Sequence, residues 1–145
     1  MLPLKETVLS PAELAGELRL ALGALMRQIR QERGFPLHHA ALLGRLEREG
    51  PSFLSELAAK EKVRPQSLAQ TIAELEEQGL IRRHPDPSDR RRISVEITAA
   101  GRRALARDRQ RKEDRLAQAI ADALKEPERA ALERALPALR KLAER

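Results

Sequence analysis

Two segments, Leu54-Ser55-Glu56-Leu57-Ala58 and Pro65-Gln66-Ser67-Leu68-Ala69-Gln70-Thr71-Ile72-Ala73-Glu74-Leu75, joined through Glu61-Lys62-Val63-Arg64, decide how this chain folds. The first predicts a short helix over Leu54–Lys60, with Leu54, Leu57 and Ala58 on its inner side. A break follows at Glu61–Arg64. Pro65, with its fixed φ and missing N–H, opens the next helix, and Gly79 ends it. Leu68, Ile72 and Leu75 recur at helical spacing along one face of that helix. Two short helices joined by a tight turn make a helix-turn-helix, whose second helix is built to enter a groove of duplex DNA.

Working outward, the period changes after Gly79 from helical to alternating. Leu80–His84 reads as a strand and Arg92–Thr98 as its partner, with Ile93, Val95 and Ile97 on one face. Between them lies the turn-rich loop Pro85-Asp86-Pro87-Ser88-Asp89-Arg90-Arg91. A hairpin placed directly after a helix-turn-helix is a wing. Toward the N-terminus, Ser10-Pro11-Ala12-Glu13 is a capping box with proline at the first helical position. Behind it Leu14, Leu18, Leu22, Leu25 and Ile29 form an apolar stripe on a long helix that Gly34 is expected to close. Pro36 opens a further helix with Leu42, Leu43 and Leu46 apolar, and Gly50 closes it. Thr98 caps a long helix reaching to about Leu124, whose stretch Arg107–Arg115 has no large apolar residue and is expected to cross solvent. A last helix from Pro127 carries Leu132, Leu136, Leu139 and Leu142, and Pro137 inside it predicts a kink or break. The expected fold is therefore mainly α with a small β-hairpin wing, all 145 residues forming a single domain. Its winged helix-turn-helix lobe spans 36–98, flanked by helical segments 10–34 and 99–145.

Composition narrows the partner. Lysine and arginine number 28 against 22 acidic residues, a formal charge of +6, which favours a polyanion such as nucleic acid. Phe35 and Phe53 are the only aromatic residues of the Phe, Tyr and Trp class. Single strands and flipped bases are gripped by ring stacking, so duplex DNA is the better match. Absence of cysteine excludes disulfides, thiol sensing and Cys-based zinc sites. No apolar run approaches the roughly 20 residues that span a bilayer, and Met1–Ser10 has no signal-peptide pattern. A cytoplasmic protein with no membrane partner is expected.

Leu54–Ala58, Val63–Leu68, Leu75–Arg82, Asp86–Arg91 and Ile97–Gly101 together resemble, in order and spacing, the signature of the MarR (multiple-antibiotic-resistance regulator) family. That resemblance implies a homodimer in which segments 10–34 and 99–145 serve dimerisation by interlocking with those of the partner, a pseudo-palindromic operator and repression of nearby genes. It also implies relief by a small aromatic or anionic effector, although so few rings leave little for an aromatic ligand to stack on. In the family an Asp-x-Arg pair at the wing places the arginine in the minor groove, and Asp89 and Arg91 match it.

The residues support that expectation on their own chemistry. Turning Leu68, Ile72 and Leu75 inward leaves Gln66, Ala69, Gln70 and Ala73 outward, where small residues permit close approach and Gln can pair with adenine. Ser67 and Thr71 flank that face as phosphate donors, and Arg64, standing where a capping Ser or Thr would be usual, can reach a phosphate beside Pro65. Arg82, Arg83, Arg90, Arg91 and Arg92 outnumber Asp86 and Asp89 around the wing, and a narrow minor groove attracts such arginines. The expected DNA-binding set is thus Arg64, Pro65, Gln66, Ser67, Gln70, Thr71, Arg83, Asp89, Arg90 and Arg91.

Other polar residues carry less. His38 and His39 are adjacent and cannot share a helix face, so no metal site is expected. By resemblance His38, Arg27 and Arg30 lie near an effector cleft. No phosphate loop, cysteine nucleophile or Ser/His/Asp grouping is present, so neither an enzyme nor a cofactor is expected. Two rivals to an operator-specific regulator are an architectural, sequence-tolerant DNA binder and a winged-helix protein-interaction module.

Overall fold

The computed structural model describes residues 8–30 and 34–145. Its helices are α1 (Pro11–Arg30), α2 (Leu37–Glu49), α3 (Leu54–Glu61), α4 (Pro65–Glu77), α5 (Ala99–Ala123) and α6 (Glu126–Ala143). Three strands, β1 (Ser52–Phe53), β2 (Ile81–Pro85) and β3 (Ile93–Ile97), form one antiparallel sheet in the order β1-β3-β2. The chain divides into two compact units, with the boundary between Gly34 and Phe35.

In the first unit, α1 begins with the expected capping box. Glu13 N–H donates to Ser10 Oγ at 3.3 Å, and Ser10 N–H donates to Glu13 Oε2 at 2.9 Å. The Ser10 hydroxyl also donates to Glu13 Oε2 at 2.7 Å, and that bond, followed by the one from Ser10 N–H, holds the Glu13 carboxyl below its ordinary pKa. Despite its apolar stripe, α1 has no buried residue.

In the second unit, α2, α3 and α4 pack with the sheet around Leu42, Leu43, Leu46, Leu57, Leu68, Ile72, Leu75, Leu80, Ile81, Val95, Ile97 and Leu105. The inward stripes expected of α2 and α4 fall within this core. Helix α4 starts with Pro65 in its first turn and ends before Gly79, whose φ of 73° lies in the left-handed region glycine favours. Lys62 makes the α3–α4 turn with φ 52°, an uncommon position for a residue with a side chain. The wing hairpin pairs Ile81 with Ile97 through to Pro85 with Ile93. A third strand joins it, Ser52 and Phe53 pairing with Val95 and Ser94. So short a strand has no periodicity of its own, and its partner lies some forty residues away.

Helix α5 leaves the sheet through a tightly built junction. Thr98 caps it, accepting from Gly101 N–H at 3.0 Å while donating to Gly79 O at 2.7 Å. A Cβ at Gly101 would stand 2.1 Å from Leu80 O and 2.7 Å from Ile97 Cγ1, so only glycine fits. Most of the polar stretch of α5 is exposed, but Asp108 departs from the expected solvated face and is buried to 1% exposure. Its Oδ1 accepts from Phe35 N–H at 3.0 Å, and Lys112 Nζ approaches Oδ2 to 2.6 Å. Burial of this charge is tolerated because it is paired and hydrogen-bonded. Arg109 reaches Glu47 at 2.9 Å and ties α5 to α2.

Of the kink or break expected at Pro137, the break does not occur, since α6 runs unbroken from Glu126 to Ala143. Proline removes the hydrogen bond to the carbonyl of Glu133, and Glu133 is exposed, where water can replace the lost donor. Like α1, α6 has no buried residue.

Candidate nucleic-acid interface

The outer face of α4 is polar and nearly uncharged. Gln66, Ser67, Ala69, Gln70 and Ala73 are exposed, as are Arg64 and Pro65 at the helix start. Arg64 occupies the N-cap position with extended backbone and makes no side-chain cap, so its guanidinium is not committed to the helix terminus. Thr71 departs from the flank expected of it. It is buried, and its hydroxyl donates to Ser67 O at 3.1 Å, one turn back. A donor engaged in that way is not presented to a phosphate. Gln70 remains exposed, but its Nε2 donates to Glu74 Oε1 at 3.1 Å.

Three glutamates outside the wing loop hold three of the five wing arginines. Arg83 makes a forked contact with Glu76 of α4, with Nη2 2.8 Å from Oε1 and Nε 3.2 Å from Oε2. That contact lowers the pKa of Glu76 and raises that of Arg83. Arg82 pairs with Glu96 across the hairpin at 3.0 Å. Arg92 lies 3.6 Å over the Phe53 ring and 3.4 Å from Glu56, fastening the wing to α3.

At the wing tip the acids turn inward and the arginines outward. Asp86 accepts from the Ser88 hydroxyl and from Asp89 N–H, and the Ser88 bond is the main cause of its lowered pKa. Asp89 is half-buried; its Oδ1 accepts from Arg91 N–H at 3.1 Å and stands 3.6 Å from Arg91 Nε. Arg90 is exposed, and the Arg91 side chain is 95% exposed. The outward-facing charge of the wing is therefore concentrated on these two residues.

A cavity of about 350 Å³ lies beside the inner edge of α4, lined by His38, Leu42, Val63, Ser67 and Gln70 among others. Its lining includes Glu61 and Glu74 and no lysine or arginine, which does not suit an anion. Arg27 and Arg30 sit in the last turn of α1 in the first unit, whereas His38 opens α2 in the second. Among the described residues no group of three or more His, Asp or Glu is placed to hold a metal. No described helix is long and apolar enough to cross a membrane.

Sequence reasoning did not single out Glu74, Glu76 or Asp108. The i,i+4 spacing of Gln70 and Glu74 could have revealed the first. Pairing of Glu76 with Arg83 and of Asp108 with Phe35 depends on tertiary packing and leaves no local signal.

A helix-turn-helix with an arginine-tipped wing defines a winged-helix DNA-binding protein. The model of the MarR family matches residues 36–93. A helix-turn-helix-type transcriptional regulator of Mycobacterium bovis is 33% identical over 115 residues, covering 77% of this chain and 80% of that protein. The crystal structure of a protein from Pseudomonas aeruginosa described as a transcriptional regulator superposes with a TM-score of 0.80 at 38% identity, covering 92% and 96% of the two chains. Ligand-free MarR of E. coli shares the fold at 19% identity, with a TM-score of 0.70 and coverage of 92% and 98%. The chain belongs to the MarR family and is a DNA-binding transcriptional regulator.

Proposed function

We propose that this protein acts as a homodimeric repressor that recognises a pseudo-palindromic duplex operator and is released by a small-molecule effector. The observation that carries the DNA reading is the exposed, small and amide-bearing face of α4, together with a wing tip that presents the exposed guanidinium groups of Arg90 and Arg91. In a dimer the two α4 helices would enter successive major grooves about 34–36 Å apart, with the wing tips over flanking minor grooves. Arg64, Pro65, Gln66, Ser67 and Gln70 are the proposed contacts of the helix, and Arg90 and Arg91 those of the wing. Asp89 orients Arg91, and Arg83 braces the wing against α4. Dimerisation is supported by the leucines left exposed on α1 and α6, including Leu14, Leu22, Leu132 and Leu136. Release by an effector is proposed from family membership, with no pocket assigned to it.

The deciding experiment titrates the protein against duplex from its own promoter region, with random duplex as competitor, at two salt concentrations. Binding that resists competitor and weakens steeply with salt supports the proposal. Equal loss to random duplex would mean an architectural binder, and no binding at low salt would refute the interface.

A further inference from the structure

Gln70 faces solvent on α4, and its amide is held by the half-exposed carboxylate of Glu74, one turn on. Its Nε2 donates to Glu74 Oε1 at 3.1 Å, and the other oxygen of that carboxylate lies 3.1 Å from His39 Nε2 on α2. His39 is 5% exposed. Since a carboxylate only accepts, both nitrogens facing it must carry hydrogens, which fixes the orientation of the Gln70 amide and the tautomer of His39. A continuous chain therefore runs from the buried face of α2, through Glu74, to an exposed side chain of α4.

We propose that Glu74, anchored by buried His39, is a positioning residue that fixes the Gln70 amide and makes it selective for adenine. With one N–H directed at Glu74, Gln70 has left one N–H and its carbonyl oxygen. In the major groove adenine offers an acceptor at N7 beside a donor at N6, whereas guanine offers two acceptors. The held amide matches adenine and is mismatched with guanine. An unrestrained glutamine could instead swing both hydrogens toward guanine, and it would lose more side-chain freedom on binding. The proposal rests on α4 being the helix that enters the major groove.

The test uses the full-length protein and a duplex it selects from a randomised library. Dissociation constants are measured for every single-base variant of that duplex at one salt concentration. For the wild type, adenine over guanine at one position of each half-site should be preferred on the order of tenfold or more. Glu74→Ala should cut that ratio about fivefold and leave the ratios at other positions unchanged, whatever the lost negative charge does to overall affinity. In a Gln70→Ala background, Glu74→Ala should change the ratio no further. His39→Gln, whose amide can still donate, should keep the ratio, while His39→Leu should lower it; melting curves confirm that each variant is folded, and Glu74→Met, which keeps the side-chain length without a carboxylate acceptor, serves if Glu74→Ala is not. An unchanged ratio in Glu74→Ala, an equal fall at all positions, or a further fall in the Gln70→Ala background would overturn the positioning role. If Gln70→Ala itself leaves every ratio unchanged, Gln70 is not a reader, and the proposal falls for that separate reason.

Discussion

Helices α2 and α4 bury their apolar stripes; α1 and α6 carry stripes just as regular and bury none of their residues. Both pairs satisfy the same sequence rule, apolar residues every three or four positions. Their difference lies in what the chain itself supplies as cover. Around α2 and α4 the sheet, α3 and the first half of α5 close a core whose leading side chains are almost inaccessible. Leu14, Leu22 and Leu25 on α1, like Leu132, Leu136 and Leu142 on α6, remain exposed. An apolar stripe thus announces that something must cover it, without saying whether the cover comes from the same chain.

The sharpest way to break the self-sufficient side of that comparison is Gly101→Ala. The added methyl would meet a backbone carbonyl, that of Leu80, which also accepts from Thr98 N–H. Backbone cannot swing aside as a side chain can, so the expected loss is about 3 kcal/mol or more of unfolding free energy. Chemical denaturation at fixed protein concentration measures it. A loss below about 1 kcal/mol would show that the junction between wing and α5 relaxes readily.

The opposite side is tested by the paired substitution Leu132→Lys and Leu136→Lys. If these leucines meet a second copy, two charges per chain would enter an apolar contact, where each leucine contributes about 1.5–3 kcal/mol of transfer energy. Sedimentation should then report monomer where the wild type is a dimer, and melting should no longer depend on protein concentration. A dimer that survives both lysines would place the interface elsewhere.

Within the body, the wing tip is a smaller and purely electrostatic test. Arg91 is exposed and pairs with the half-buried Asp89, so Arg91→Ala should leave folding unchanged. It should weaken binding to every duplex and flatten the dependence of log affinity on log salt by about one unit per wing. An unchanged slope removes Arg91 from the DNA contacts.

What could be read from the sequence follows the same division between local and non-local causes. The starts at Pro11 and Pro65 and the stops at Gly50 and Gly79 were legible because each is set by the residue itself. Strand β1 was not, since Ser52 and Phe53 become a strand only by pairing with Val95 and Ser94. Nor was the burial of Asp108, which depends on Phe35 arriving beside it. In the candidate interface, the outward face of α4 was readable from the core stripe opposite. Thr71 was misplaced because it lies at the margin of that stripe, where packing decides. The wing arginines were readable as residues but not as charges, because Glu56, Glu76 and Glu96 come to them through the fold.

The smallest expected effect concerns His39, where body and interface meet. Burial is the main cause of its lowered pKa, neighbouring His38 adds to it, and Glu74 opposes both without prevailing. An imidazole whose folded-state pKa lies below its unfolded value, about 6.5, binds protons more tightly when the chain unfolds. Its contribution to stability is therefore complete above about pH 6.5 and is lost as the pH falls toward the folded value. Melting curves at about pH 7.5 and about pH 5.5 should show the wild type losing more stability on acidification than His39→Gln, which has no proton to take up there. Equal losses would mean that Glu74 offsets the burial, leaving the core end of the chain to Gln70 insensitive to acid.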